Sequence, residues 1–210
     1  MQQKLENLTK TYLSQFNLKT INKMKNLKTI AIALLVTVST IASAQVKKVD
    51  AAKSTITWIG KKVTGQHNGT IGLKEGSLIF NGKKLTGGSF VVDMTTLTAT
   101  DLTGDYQMKL NGHLKSEDFF GTEKFTTSKL VFKKIADKGK GVYYVTADLT
   151  IKETTAQINF DITVKGTNAT TTLKIDRTKY GIKYGSASFF ENLEDKAISN
   201  EFELTVNLKF

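Results

Sequence analysis

Few side chains in this chain are of kinds that carry chemistry, and their spacing argues against most of it. Histidine occurs only at His67 and His113, and cysteine is absent. A tetrahedral metal centre draws three or four His, Cys or carboxylate ligands from short strand or helix spacings, and neither His has such companions nearby. His67 lies in Gly65-Gln66-His67-Asn68-Gly69, which reads as a turn, and His113 directly follows Gly112. Both are expected to be structural or exposed. Hydrogen bonding to a ligand head group is the next role, because imidazole changes charge near neutrality. Gly185-Ser186-Ala187 lacks the Gly-x-Ser-x-Gly spacing of a nucleophile elbow. Asp101 and Asp105 could form an acid–base pair, but helix capping and solvation account for them more simply. Arg177 is the only arginine. Its planar fork suits bidentate contact with carboxylate or phosphate. An ion pair with Asp or Glu across a barrel mouth is the preferred reading, with head-group phosphate second. No catalyst is expected.

The elements that position these residues begin after a targeting segment. Residues 24–44 read MKNLKTIAIALLVTVSTIASA, with a basic start, an apolar core over 30–38 and the small-residue pattern Ala42-Ser43-Ala44. Those are the parts of a cleaved signal peptide, and the apolar run is short for a bilayer span. No stable membrane span is expected. Cleavage is expected between Ala44 and Gln45, leaving a domain over 45–210. Residues 1–23 read as a non-native extension upstream of a true start at Met24. The whole chain carries 30 basic and 19 acidic residues, net +11. The first 44 residues hold six lysines and one glutamate, so the remainder holds 24 basic and 18 acidic, net +6. That modest excess does not require a nucleic-acid partner. Without cysteine, an exported domain must be held by packing and hydrogen bonds alone.

Period-two alternation dominates residues 45–210. Phe202, Leu204, Val206, Leu208 and Phe210 share one face of the last segment, and Glu201, Glu203, Thr205, Asn207 and Lys209 the other. Ile158, Phe160, Ile162 and Val164 alternate likewise with polar neighbours. Such alternation marks antiparallel strands with one dry and one wet face. Further strands are expected over 55–63, 70–73, 77–80, 88–94, 129–135, 142–151 and 170–176. Asn81-Gly82 is the clearest hairpin signal, since both residues tolerate a type I′ turn. The exception is 95–120, where Leu102, Tyr106 and Leu110 fall four apart. Asp101 or Thr103 is the expected N-cap, Asn111-Gly112 the stop, and Ser116 the start of a second short helix carrying Phe119 and Phe120. The expected fold is all-β: a closed antiparallel barrel of about eight strands with one or two short helices. Closure would protect the long final strand from edge-to-edge pairing. The helices are expected to form a lid.

Three stretches carry a resemblance: HLKSEDFF over 113–120, GVYYVTADLTIKETTAQINFDITV over 141–164 and DRTKYGIKYGS over 176–186. In this order they resemble the YceI-like family across about Val49 to Phe210. The resemblance implies a lipocalin-like barrel with an elongated apolar tunnel that holds a polyisoprenoid or similar lipid. No cofactor is implied beyond a bound isoprenoid lipid or quinone. The expected lumen and lid residues are Trp58, Phe80, Phe90, Met94, Leu114, Phe119, Phe120, Phe132, Tyr144 and Phe160. His67, His113 and Arg177 are the head-group candidates. The expected function is an exported, periplasmic or extracellular, protein that carries or sequesters an amphiphilic lipid such as an isoprenoid quinone or isoprenyl phosphate. A filled structural barrel, or a small hydrolase or isomerase using the lumen, are the alternatives, and homodimer assembly is left open. The chain departs from the commoner family pattern at Asn111-Gly112, where many members carry Arg-Asp, and at Glu153, where Gly is usual.

Overall fold

The computed structural model describes residues 44–210, so the expected signal peptide, apart from its last residue Ala44, and the segment before it lie outside the described residues. Ala44–Phe210 is a compact unit with its own core. Nine strands form one sheet: β1 (Ala44–Lys48), β2 (Thr55–Lys62), β3 (Gly65–Asn81), β4 (Lys84–Ala99), β5 (Thr127–Gly139), β6 (Val142–Ile151), β7 (Thr154–Lys165), β8 (Asn168–Asp176) and β9 (Ile198–Lys209). All neighbouring pairs are antiparallel, and β3 pairs with β4, so β2 to β9 close an eight-stranded barrel. The ninth strand is an addition. Residues 65–71 of β3 pair with β2, and residues 77–81 of the same strand pair with β1. Closure removes the edge that β9 would otherwise expose, since it lies between β2 and β8.

Alternation translates directly into burial. In β2, Ile56 and Trp58 are buried while Thr55 and Thr57 are exposed; in β9, Val206 and Leu208 are buried while Thr205 and Asn207 are exposed. The two expected strands at 70–73 and 77–80 are one long strand. Register shifts between Thr70 and Gly72 and between Leu73 and Glu75 break the apparent alternation without ending the strand. His67 therefore lies in a strand, opposite Gly60, and the tight turn comes earlier. The β3–β4 hairpin is also displaced by one residue. Asn81 pairs with Lys84, and Gly82 and Lys83 form the tip, with only Gly82 at positive φ (59°).

Of the one or two short helices expected, the described residues hold a single α-helix, α1 (Gly104–Lys115). Thr103 is its N-cap, and the helix runs through Asn111-Gly112 to Lys115. Asn111 does not stop the helix because its amide works sideways. Its Oδ1 accepts from the Ala99 N–H at 2.8 Å, and its Nδ2 donates to Thr98 Oγ1 at 2.9 Å. Gln107 donates to the Ala99 carbonyl at 2.7 Å. Only Ser89 to Asp93 of β4 pair with β5, so α1 satisfies part of the edge that β4 leaves beyond them. The apolar face also differs from expectation: Tyr106 is 75 % exposed, while Leu110, His113 and Leu114 face the barrel interior. Residues 116–120 form turns rather than a second helix. The Phe120 and Thr122 N–H groups close back on the Leu114 and Lys115 carbonyls. No helix among the described residues is long and apolar enough to cross a membrane.

Candidate functional site

The barrel is hollow. A cavity of about 340 Å³ runs from the α1 end into the lumen. Its wall is built from inward positions of nearly every strand: Ile56 and Trp58 of β2, Leu73 of β3, Phe90 and Val92 of β4, Leu130 and Phe132 of β5, Leu149 of β6, Phe160 and Ile162 of β7, Leu173 of β8, and Leu204, Val206 and Leu208 of β9. Small residues let aromatic rings lie flat against this wall. A Cβ on Gly69 would overlap the Thr98 carbonyl oxygen and stand 2.6 Å from the Trp58 ring, and one on Gly88 would stand 2.7 Å from the Phe132 ring. Phe132 in turn packs against Phe90 and Phe160, with centroids 5.6 and 5.8 Å apart.

Polar groups gather at one end. Lys61, Lys62, His67, His113, Arg177, Ser199 and Glu201 all border the cavity near α1. Arg177 is 3 % exposed. It makes no ion pair within the described residues; its fork donates to three backbone carbonyls, Nε to Ser199 at 2.9 Å, Nη1 to Ile182 at 2.8 Å and Nη2 to Ile198 at 3.1 Å. The ion pair expected across the mouth is therefore replaced by neutral acceptors, because the loop after β8 and the start of β9 both turn carbonyls toward the fork. Burial lowers the guanidinium's affinity for its proton, and Asp176 partly offsets this. Phe119 covers the cation at 5.7 Å, and the Phe119 ring meets His113 at 5.0 Å and Tyr184 at 5.6 Å. Phe120 turns its edge to Phe202 at 6.2 Å. The hydroxyl of Ser128, a cavity-lining residue, is buried without a hydrogen-bond partner among the described residues. Nothing in the sequence around Ser128 distinguished it from an ordinary strand serine.

A closed eight-stranded antiparallel barrel with one extra strand and a single α-helix is a fold shared with known proteins. The model of the YceI-like domain matches residues 48–210. The chain belongs to the YceI-like family. It is 30 % identical over 84 residues to a UPF0312 protein of Shewanella denitrificans, an alignment covering 40 % of this chain and 42 % of that one. It is 34 % identical over 111 residues to a UPF0312 protein of Staphylococcus aureus strain USA300, covering 45 % and 62 %. These alignments span less than two thirds of the relatives' length. Among solved structures, Burkholderia cenocepacia BcnA superimposes with a TM-score of 0.56 at 21 % identity, over 76 % of this chain and 98 % of that one. A polyisoprenoid-binding domain from Saccharophagus degradans superimposes with a TM-score of 0.51 at 14 % identity, over 79 % and 97 %.

Eight of the ten apolar residues expected in the lumen and lid of this YceI-like barrel stand on the cavity wall: Trp58, Phe90, Met94, Leu114, Phe119, Phe120, Phe132 and Phe160. Two do not. Phe80 is buried at the opposite end, stacked on Phe210 at 5.6 Å. Tyr144 is 42 % exposed on the outer face, with the Lys138 ammonium 5.8 Å from its ring, because its neighbours Tyr143 and Val145 take the inward positions. Phe189 and Phe190, in the loop after β8, are about half exposed. All three polar candidates border the cavity, but the histidines have partners. His67 Nδ1 lies 2.9 Å from Asp101 Oδ2, and His113 Nε2 lies 3.6 Å from Asp118. Burial pushes the Asp101 carboxyl up, but bonds from His67 and backbone N–H groups outweigh it and hold the carboxyl below its ordinary range. No group of three or more His, Cys, Asp or Glu among the described residues could hold a metal ion.

Proposed function

We propose that this YceI-like barrel binds an amphiphilic lipid, with a polyisoprenoid tail in the lumen and its head at the Arg177 end. The observation that carries this is the polarity of the cavity: deep walls of Leu, Ile, Val and Phe, and a buried cation at the end under α1. A cavity of this size lies in the range of small-ligand sites. Each buried CH₂ contributes about 0.8 kcal/mol, so a few isoprene units offset the ordering costs of binding. The likeness to a polyisoprenoid-binding domain of Saccharophagus degradans is consistent with the same ligand class. At the head, Arg177 has two N–H groups beyond the three that bond carbonyls and makes no ion pair among the described residues. An isoprenyl phosphate complements that charge better than a neutral isoprenoid quinone does. The role is carriage or sequestration rather than turnover. The signal-like segment at 24–44 supports a site of action outside the cytoplasm, in the periplasm or beyond.

The test is mass spectrometry of organic extracts from the natively purified protein, followed by titration of Trp58 fluorescence. Trp58 is the only tryptophan and lies on the cavity wall. An isoprenoid in the extract, and a Trp58 response to prenyl phosphate stronger than to the prenol of equal length, are expected. No extractable lipid and no response to either compound would overturn the lipid reading. Equal responses would overturn only the anionic head.

A further inference from the structure

The end of the barrel opposite the cavity mouth carries the whole net charge of the domain. This pole is made by β1 and the turn after it (44–54), the β3–β4 tip (81–85), the β5–β6 tip (137–142), the β7–β8 tip (161–168) and the end of β9 (207–210). These segments hold nine lysines and three aspartates, net +6. The rest of residues 45–210 holds fifteen basic and fifteen acidic residues. The aspartates are engaged: Asp50 pairs with Lys53 at 2.8 Å, Asp161 with Lys138 at 2.7 Å, and Asp137 accepts from the Gly139 N–H at 2.8 Å. Lys48, Lys83, Lys84, Lys140 and Lys165 are exposed and none of them is ion-paired among the described residues. Three hairpin tips and the C-terminal Phe210 converge there on a shallow concavity of about 560 Å³, bordered by Lys47, Lys83, Lys84 and Lys140.

We infer that this pole docks on an anionic lipid bilayer. Charge complementarity selects an anionic partner, and the residue types select a bilayer among anionic partners. The pole has no arginine for bidentate phosphate reading, its Phe80 and Tyr143 are buried, and its half-buried Phe210 is stacked on Phe80 with the Lys47 ammonium 5.8 Å from its ring, so no row of open aromatic faces is offered to bases. Its exposed large apolar residues are Val46 and, at its margin opposite Asp161, Tyr144, too little for the apolar anchor of a protein interface. Lysines spread over separate tips need only a surface of negative charge, and each contributes about fivefold in partitioning when held near anionic headgroups. Docking at this pole points the cavity mouth away from the bilayer.

The experiment is vesicle co-sedimentation of the self-contained barrel Ala44–Phe210. Phosphatidylcholine vesicles are compared with phosphatidylcholine–phosphatidylglycerol vesicles, at low and high salt. Binding to the anionic vesicles alone, reversed by salt, is expected. The variant Lys83→Gln/Lys84→Gln/Lys140→Gln should lose about tenfold or more in partitioning. The variant Lys129→Gln/Lys133→Gln/Lys134→Gln, with the same net charge but altered on the barrel side, should lose much less. Equal losses in the two variants would overturn the docking face. So would loss of binding on Phe189→Ser/Phe190→Ser, which alters exposed apolar residues at the mouth end. Tighter binding to a DNA duplex or to inorganic polyphosphate than to anionic vesicles would overturn the choice of partner. None of these outcomes depends on whether lipid occupies the lumen.

Discussion

Replacing Arg177 with Met removes the three donors that tie the loop after β8 to the start of β9. The carbonyls left behind differ in how water can reach them. Ile182 is 1 % exposed, so its oxygen becomes a buried acceptor without a partner, at a cost of about 1–3 kcal/mol. Ser199 is exposed and Ile198 half-buried, so water substitutes there and only the net worth of each bond is lost, about 0.5–1.5 kcal/mol. Against this, the variant no longer holds a desolvated cation without a carboxylate, which returns part of the loss. The expected net cost is about 2–4 kcal/mol, read as a lowered urea midpoint at unchanged slope. Arg177→Lys keeps the charge but not the fork, so its stability should fall between wild type and Arg177→Met. A Met variant less than about 1 kcal/mol from wild type would refute the stapling argument. Prenyl phosphate titration of the folded fraction then tests the head group separately. Affinity for the phosphate should fall while affinity for the prenol holds.

Four other outcomes follow from the same geometry. Gly69→Ala should destabilise by more than about 3 kcal/mol in chemical denaturation, because its Cβ meets backbone oxygen and the Trp58 ring rather than a flexible side-chain end; a near-neutral result would mean that Trp58 can leave the wall. Tyr180→Phe should be neutral or stabilising near neutral pH, since the phenol is buried without a hydrogen-bond partner among the described residues. Burial and then Asp176 push that phenol from 10.0 up to about 12, so the folded state retains a proton that the unfolded chain releases. Its contribution is unchanged below about pH 10 and falls by up to about 1.4 kcal/mol per unit from there to about pH 12, and the phenylalanine variant should lack that part of the decline. Phe120→Ala should reduce lipid retention more than stability, whereas Phe119→Ala should reduce both, because Phe119 is buried and covers Arg177 while Phe120 is half-buried; denaturation midpoints compared with lipid occupancy distinguish them. Leu208→Ala should cost about 2–5 kcal/mol and Tyr144→Ala within about half a kcal/mol, since one is 4 % and the other 42 % exposed; equal costs would contradict the inward assignment.

Alternation was enough to read the strands of β6, β7 and β9, and with them the dry face that lines the lumen. A pleated strand sends successive side chains to opposite sides whatever it pairs with, so the pattern is local. Phe119 and Phe120 were expected in the lid, and both stand on the cavity wall, since two large apolar groups beside Glu117 and Asp118 have little reason to meet water. Where bulges interrupt the period, as in β3, one strand looked like two, and the Gly and Asn residues around His67 made its first residues look like a turn. Where two tyrosines stand side by side, composition could not choose between Tyr143 and Tyr144; only the phase of β6 against its neighbours did. Asn111 looked like a helix stop because its intrinsic preference is local, while the β4 edge that occupies its amide is twelve residues away. That Arg177 would find three carbonyls instead of a carboxylate, and that Ser128 would be left unpaired in the wall, depends on how chain segments far apart in sequence close on one another. The same closure gathers the surplus lysines at one pole, because it is strand direction that brings three hairpin tips to the same end. The sequence determines which side of each strand is dry. Only the closed barrel decides whether that dry interior is filled, where its single buried cation sits, and which end of the molecule is charged.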